Sequence, residues 1–308
     1  GPRTASIDSL AHRSPFYTIV WAAGNDRADT GSGGHPADCN GGTGFDCIIP
    51  EAVAKNVITV GAVEAVSNYA GPSSVAMSFF SSWGPTDDGR IKPDVTGDGV
   101  DVFSLSSAAA DSYTTMSGTS MATPNVSGSL LLMQELYGRL HGGKRMWSST
   151  LKALAIHTAK EAGTAPGPDY RFGWGLLDVA AGADFLLKEN GKDFQLTEGT
   201  LTDGQVIQIP LTPAAGKRIK ITLAWNDVPG TPVPPALDPV NLMLVNDLDI
   251  RLADDKGLVF QPWILDPGNP AQPATTGDNF RDNVEQIVVD LPSQRPHQLQ
   301  LSHKGKLP

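Results

Sequence analysis

The residues best suited to chemistry lie at positions 116–124, Met-Ser-Gly-Thr-Ser-Met-Ala-Thr-Pro, where a long apolar, helix-favouring segment begins. A serine in the first turn of a helix has free backbone N–H groups and the positive end of the helix dipole beside it. Both favour the negative charge that develops when a hydroxyl attacks a carbonyl carbon. Ser120 is therefore the candidate nucleophile, and a serine that only caps the helix is the alternative.

A second polar side chain follows a predicted buried strand. Residues 17–23, Tyr-Thr-Ile-Val-Trp-Ala-Ala, are rich in β-branched and aromatic side chains, and the strand they predict ends at Gly24 and Asn25. The side-chain amide of Asn25 could donate a hydrogen bond to an oxyanion. The alternative is an asparagine that only stabilises the Gly-Asn-Asp turn.

Together, the two motifs resemble those of the subtilase family of serine peptidases. Residues 118–124 are similar to the nucleophile motif of that family, and residues 22–25 to the segment with its oxyanion-hole asparagine. The resemblance implies a serine endopeptidase in which Ser120 forms the acyl-enzyme, while Asn25 and the Ser120 backbone N–H bind the oxyanion. It also implies that four residues contact the polypeptide substrate, the first three as one wall of the P1 pocket: Ala22, Ala23, Gly24 and Thr119.

The two other members of the family's catalytic triad are not found before Asn25. The family places an aspartate in a strand ending Asp-Ser/Thr-Gly and a histidine in a His-Gly-Thr-His helix, both before the serine. Residues 29–31, Asp-Thr-Gly, and His35 spell part of this pattern, but they follow Asn25 and lie in a loop, so we interpret them as a coincidence. A serine without a base is a poor nucleophile at neutral pH. We therefore expect this chain alone to be inactive. Its expected partner is an N-terminal segment of the same protein, absent from this chain, that carries the aspartate and the histidine.

Strands and long helices alternate along the chain up to about Leu187. The continuous apolar run at 57–63 predicts a strand buried on both faces, and residues 119–140 and 151–161 predict helices. This alternation predicts an α/β domain with a mainly parallel sheet. Three other segments match the family in the same order along the chain: residues 80–85, 92–95 and 172–178.

The pattern changes after Gly191 to short alternating strands separated by turns rich in Pro, Gly and Asp, which is typical of an antiparallel β-sandwich. We predict two domains. Residues 1–191 form a subtilisin-like catalytic domain that lacks its N-terminal portion. Residues 192–308 form a β-sandwich or jelly-roll that is truncated at its C-terminus.

Acidic and amide side chains cluster in three C-terminal segments, 223–230, 244–249 and 278–285, which resemble the β-sandwich appended to alkaline subtilases. Those domains bind calcium, and carboxylate and amide oxygens suit a hard cation. The resemblance therefore predicts structural calcium and no organic cofactor. Four residues are the predicted ligands, with solvated turn residues as the alternative: Asp227, Asn246, Asp247 and Asp249.

Composition narrows the classes of partner. The chain has 308 residues, 40% of them hydrophobic, and a net charge of -10 with a pI of about 5.0. Such an acidic protein is a poor partner for nucleic acid, and no apolar run is long enough to cross a bilayer. We expect neither nucleic acid nor membrane as a partner.

The only two cysteines, Cys39 and Cys47, lie in one loop rich in Gly, Asp and Asn. A local disulfide is the preferred interpretation, and it would place the protein in an oxidising, secreted or extracytoplasmic compartment. The alternatives are two unpaired thiols and a zinc site in which both cysteines are ligands, but no second pair of zinc ligands is nearby.

Two other functions fit parts of the sequence. One is a lipase or esterase of the α/β-hydrolase type, which requires the motif Gly-x-Ser-x-Gly. Because Ala122 occupies the position of the second glycine, the sequence argues against this function. The other is a non-catalytic relative of the subtilases whose β-sandwich binds a protein or a glycan. The pairing of Ser120 with Asn25 favours the peptidase, and the sequence upstream of Gly1 would decide between the two.

Overall fold

The computed structural model describes residues 1–29, 39, 42–189, 191, 193–234, 236, 238–291 and 294–307. The N-terminal half contains a parallel sheet of three strands in the order β1-β2-β3: β1 (Val20–Ala22), β2 (Ile58–Val63) and β3 (Val95–Asp98). All six residues of the central strand β2 are buried. The continuous apolar sequence of this strand predicts burial on both faces, and this prediction is confirmed.

In the part of the chain that the structure describes, four helices accompany this sheet: α1 (Pro2–Arg13), α2 (Thr119–Leu140), α3 (Ser148–Thr158) and α4 (Val179–Lys188). Helix α2 packs on all three strands, and α3 and α4 pack on α2. The residues that α2 buries recur at helical spacing, among them Ala122, Val126 and Leu130. The helix predicted at 119–140 is confirmed, and the helix predicted at 151–161 begins and ends three residues earlier, at Ser148 and Thr158. Helix α1 was not predicted, because its sequence has few apolar residues.

Two short strands, β4 (Val102–Leu105) and β5 (Tyr113–Met116), connect β3 to α2. They pair with each other as an antiparallel ribbon, with Val102 opposite Met116 and Leu105 opposite Tyr113. Among the described residues, neither strand pairs with a third. A 3₁₀ turn, Pro72–Ser74, lies between β2 and β3.

The C-terminal part contains the predicted antiparallel sheets. Its strands are β6 (Ile207–Leu211), β7 (Arg218–Ala224), β8 (Asp247–Asp254), β9 (Val259–Phe260), β10 (Trp263–Ile264), β11 (Thr275–Thr276), β12 (Val284–Asp290) and β13 (His297–Lys304). One sheet has the order β6-β13-β8-β9, while β7 pairs with β12 and β10 with β11. Ile250 and Leu252 of the first sheet pack with Ile287 of β12, which forms the core of a sandwich.

The two parts of the chain share a buried contact surface. Val284 of β12 belongs to the main hydrophobic core of the α/β part. Lys55 is buried, and its ammonium donates to Asp227 Oδ2 at 2.5 Å and to the carbonyl oxygen of Val228 at 2.7 Å. Asn56 adds a hydrogen bond to the Asp227 carbonyl oxygen at 2.7 Å. Polar and apolar groups thus hold the sandwich against the α/β part, and the division near residue 192, which lies outside the described residues, stays a prediction.

The predicted disulfide between Cys39 and Cys47 is present. No helix in the described part of the chain combines the length and the apolar character that crossing a membrane requires.

Candidate active site

The candidate nucleophile and the candidate oxyanion donor meet at the carboxyl end of the parallel sheet. Asn25 follows β1, and Ser120 lies in the first turn of α2. Gly118 N donates to Gly99 O at 2.8 Å, and Gly99 N donates to Val63 O at 3.1 Å, so the start of α2 is held against the ends of β2 and β3. A glycine is required at 99, because a Cβ there would lie 2.7 Å from the Cβ of Ala62 and 2.8 Å from Gly118 O.

The first turn of α2 has one backbone N–H free beside the hydroxyl. Thr119 N donates to Asn25 Oδ1 at 2.9 Å, and the N–H groups of Met121 and Ala122 donate to Gly118 O. The N–H of Ser120 has no hydrogen-bond partner among the described residues. Unpaired N–H groups at a helix N-terminus attract negative charge. The free group is therefore available to a negatively charged oxygen.

Thr119 fixes the orientation of the Asn25 side chain. The Thr119 hydroxyl donates to Asn25 Oδ1 at 3.0 Å and accepts from Gly24 N at 3.3 Å. Thr119 has no exposed surface, whereas Asn25 is exposed. Since the carbonyl oxygen of the Asn25 amide receives both Thr119 donors, its nitrogen Nδ2 is the end left for another partner. This positioning contact was not predicted, because nothing in the sequence indicates which end of the amide Thr119 binds.

Both donors lie close to one point in space, beside Gly118. A Cβ atom on Gly118 would lie 3.7 Å from Asn25 Nδ2 and 3.7 Å from Ser120 N. Glycine leaves this volume open, so that an oxygen atom can approach both nitrogens. An arrangement of two N–H donors around a common position can stabilise an oxyanion.

The hydroxyl of Ser120 is exposed and has no hydrogen-bond partner among the described residues. The five histidines that the structure describes have contacts elsewhere: His12 with Asn226 O, His141 with Glu189, His157 with Thr222, His297 with Arg295 O, and His303 with Gly204 N. His35, Thr30 and Gly31 lie outside the described residues. Within the described chain, the hydroxyl therefore has no base in contact with it.

The predicted substrate-binding residues lie directly beside the two donors. Ala23, Gly24 and Thr119 are buried, and Ala22 is half-buried in β1. Gly24 has no room for a side chain, because a Cβ there would lie 2.6 Å from Ile49 Cγ2 and 2.7 Å from Ser82 Oγ. These residues support the position of Asn25, and their role as the wall of a substrate pocket stays a prediction.

A buried charge cluster supports the opposite, amino end of the sheet. Asp94 Oδ2 accepts from Lys92 Nζ at 2.5 Å and from Thr59 N at 2.7 Å, and Lys152 Nζ lies 2.8 Å from Asp94 Oδ1. Burial lowers the pKa of Lys92 to about 7, although Asp94 opposes this shift. Burial would raise the pKa of Asp94, but Lys152 and Lys92 outweigh it and hold that pKa below its ordinary value. The cluster joins β2, β3 and α3, and it is not in contact with Ser120.

The carboxylate of Asp227, a predicted calcium ligand, accepts hydrogen bonds from protein donors. Its Oδ2 accepts from Lys55 Nζ at 2.5 Å and from Val245 N at 2.8 Å, and its Oδ1 accepts from Asn246 N at 2.9 Å. Oδ2 therefore accepts two hydrogen bonds and Oδ1 accepts one. A cation would have to displace the ammonium of a lysine that is itself fully buried.

Two of the other three predicted calcium ligands contact a lysine. Asp247 Oδ2 and Asp249 Oδ1 lie 3.1 and 3.0 Å from Lys304 Nζ. Among the side-chain oxygens of these three residues, Asn246 Oδ1 and Asp247 Oδ1 are buried without a hydrogen-bond partner. Calcium takes six to eight oxygen ligands. The described residues contain no group of three or more His, Cys, Asp or Glu side chains that could hold a metal ion. The calcium site at these four residues therefore stays a prediction.

Comparison with known proteins identifies relatives of the N-terminal part. Residues 4–175 match the model of the Subtilase family. The chain is 45% identical over 84 residues to the C5a peptidase of Streptococcus pyogenes serotype M3, a match that covers 27% of this chain and 7% of that protein. It is 38% identical over 109 residues to the serine protease AprX of Bacillus subtilis, with 31% and 24% covered. The chain thus spans no more than 24% of either relative.

Among solved structures, sphericase is 25% identical, with a TM-score of 0.40, and the match covers 57% of this chain and 52% of that one.

Proposed function

The chain belongs to the subtilase family of serine peptidases, and on this premise we propose that it supplies the nucleophile and the oxyanion hole of a serine endopeptidase. The observation that carries the proposal is the common point beside Gly118, 3.7 Å from both Asn25 Nδ2 and Ser120 N. The substrate is a polypeptide, as the subtilase relatives imply.

The proposed reaction begins with attack by Ser120 Oγ on the carbonyl carbon of the scissile peptide bond. The carbonyl oxygen takes the electron pair and accepts hydrogen bonds from Ser120 N–H and Asn25 Nδ2–H. Collapse of this intermediate breaks the C–N bond, releases the amine and leaves an ester on Ser120. Water then attacks the ester and regenerates the hydroxyl.

A base must accept the proton of Ser120 during the attack and deliver it to the leaving amine. The described histidines are held by contacts elsewhere, and the chain spans only part of its relatives. We therefore propose that an upstream segment of the same protein supplies this base and its aspartate, and that the 308-residue chain without that segment is inactive. The acidic composition and the disulfide support a secreted or extracytoplasmic protein without nucleic-acid or membrane partners.

Covalent labelling of Ser120 tests the proposal. The full-length gene product should react with a fluorophosphonate probe, Ser120→Ala should abolish labelling, and the 308-residue chain alone should label weakly. Ser117→Ala is a matched control, because Ser117 is also exposed and lies three residues away, where its hydroxyl donates to Asp101. Equal labelling of the Ser120→Ala variant would contradict the assignment of the nucleophile. Absence of labelling in the full-length protein would favour the non-catalytic relative whose β-sandwich binds a protein or a glycan.

A further inference from the structure

The β4–β5 ribbon exposes an apolar face immediately before the candidate nucleophile. Phe103, Leu105 and Tyr113 are 69, 70 and 58% exposed. Successive side chains of a strand point to opposite faces, so Phe103 and Leu105 share one face of β4. Tyr113 lies directly opposite Leu105 and therefore shares that face. The rings of Phe103 and Tyr113 stack, with centroids 5.3 Å apart and planes inclined by 17°.

The ribbon has the geometry of a preformed binding surface. Hydrogen bonds close it at both ends, from Ser106 N to Ser112 O at 2.9 Å and from Asp101 N to Ser117 Oγ at 2.9 Å. Neither strand contains a charged residue. Edge strands commonly carry charges that prevent pairing with another chain. The uncharged ribbon therefore presents an edge and an apolar face that suit an extended, apolar peptide.

The position of the ribbon indicates which peptide it would bind. Strand β5 ends at Met116 and runs directly into the turn that carries Ser120. Thr115, opposite Phe103, precedes Ser120 by five residues, so the backbone at the Phe103 end of the ribbon lies within about 17 Å of that of Ser120. An extended peptide bound at Ser120 spans this distance with about five residues. The ribbon is thus continuous with the proposed cleavage site.

We propose that the face formed by Phe103, Leu105 and Tyr113 binds apolar side chains of the polypeptide substrate, about three to five residues from the scissile bond. This inference rests on the proposed peptidase function and adds a substrate class to it: polypeptides with aromatic or aliphatic residues at that distance. Burial of such a side chain against the two stacked rings favours the longer substrate over a short one.

The test compares a long and a short substrate on the full-length protein. The long substrate is an internally quenched peptide with phenylalanine three to five residues from the cleaved bond, and the short one is an N-acetylated amino-acid ester that cannot reach the ribbon. The ratio of the two kcat/KM values should fall about tenfold in Phe103→Ser and in Tyr113→Ser. The ratio should not change in Leu258→Ser, which replaces an exposed leucine of the C-terminal sandwich. Replacing the phenylalanines of the peptide by serine should lower the wild-type ratio by a similar factor.

Three results would overturn the inference. An unchanged ratio in both ribbon variants means that the face does not contact the substrate. An equal loss on both substrates, together with a lower Tm, means that another part of the same protein covers the face. If the wild-type protein cleaves neither substrate and is not labelled at Ser120, the peptidase function itself is wrong, and this inference falls with it.

Discussion

Asn25 and Thr119 are joined by two hydrogen bonds that converge on a single atom, Asn25 Oδ1, from the backbone nitrogen and the hydroxyl of Thr119 at 2.9 and 3.0 Å. One residue follows a strand and the other begins a helix, 94 positions later. The contact turns the amide nitrogen of Asn25 towards the open volume beside Gly118, where Ser120 N is equally near.

Replacing Asn25 by leucine should remove one oxyanion donor. We expect kcat of the full-length enzyme to fall about 10²–10³-fold with little change in KM, the loss known for removing such a donor in subtilisin. The reason is that the hydrogen bond forms with the charged intermediate rather than with the bound substrate. Steady-state kinetics on a peptide substrate measure both constants. A rise in KM with an unchanged kcat would assign Asn25 to substrate binding instead.

Replacing Thr119 by valine should act through Asn25. Valine retains the shape of threonine but has no hydroxyl to donate to Asn25 Oδ1 or to accept from Gly24 N, while its backbone N–H remains. We expect a smaller loss in kcat than for Asn25→Leu, about tenfold, because one of the two bonds that orient the amide is kept. Thr119→Ser should restore most of the activity. The double variant Thr119→Val with Asn25→Leu should be no slower than Asn25→Leu alone; additive losses would show that the two residues act independently.

The buried ion pair between Lys55 and Asp227 should stabilise the contact between the two parts of the chain. Asp227→Asn leaves the Lys55 ammonium buried without its carboxylate, and we expect the free energy of unfolding to fall by about 3–5 kcal/mol. Asp290→Asn is the matched control, because both Asp290 and its partner Arg218 are exposed, and little or no loss of stability is expected there. Urea unfolding measures both values. Equal effects of the two substitutions would contradict a special role for the buried pair.

Glu285 should make the protein less stable as the pH rises. Burial raises its pKa to about 8 from an ordinary 4.5, although Ile250 N donates to Glu285 Oε2. A carboxyl group whose pKa is raised by folding stabilises the folded state while it is protonated, so this contribution is complete below pH 4.5 and is lost as the pH rises to about 8.

Glu285→Gln imitates the protonated form at every pH. Relative to the wild type, this variant should therefore gain stability between pH 5 and pH 8, which urea unfolding at several pH values would show. Parallel stability curves for the two proteins would contradict the assignment.

The effect of calcium on Tm distinguishes the prediction made from the sequence resemblance from the one made from the side-chain contacts. The resemblance predicts a calcium-stabilised sandwich, whereas the observed contacts tie Asp227 to Lys55 and Asp249 to Lys304. From the contacts we expect Tm to be the same in millimolar calcium and in excess EDTA. If calcium raises the Tm of the wild type but not that of Asp247→Asn, the predicted site is supported. If calcium raises the Tm of both proteins, calcium binds elsewhere.

Local patterns were sufficient to predict the regular elements near the site. Helix α2 begins and ends at the predicted residues, because its apolar positions recur at helical spacing and glycine precedes it. The strand around Val60 was predicted from its continuous apolar run. Helix α1 was missed, because it buries little and depends on contacts such as that of Asp8 with Asn56.

The contacts of the predicted calcium ligands could not be read from the local sequence. A cluster of acidic residues along the chain resembles a cation site, but Lys55 is 172 positions before Asp227 and Lys304 is 55 positions after Asp249. Such distant lysines cannot be paired with particular carboxylates from local sequence. Only the fold brings each ammonium to its carboxylate, and the pairing changes the chemistry of the site.

The sequence by itself determined the family and the α/β and antiparallel architecture, and it predicted Ser120 and Asn25 as the site residues, because each is encoded in a short contiguous motif or in a periodic pattern. The tertiary structure alone decided which atoms contact each other. It set the orientation of the Asn25 amide, left the Ser120 N–H free, paired lysines with the acidic residues and exposed one face of the ribbon. The physical reason is that these are contacts between groups far apart in the chain, and their geometry depends on how the strands and helices pack.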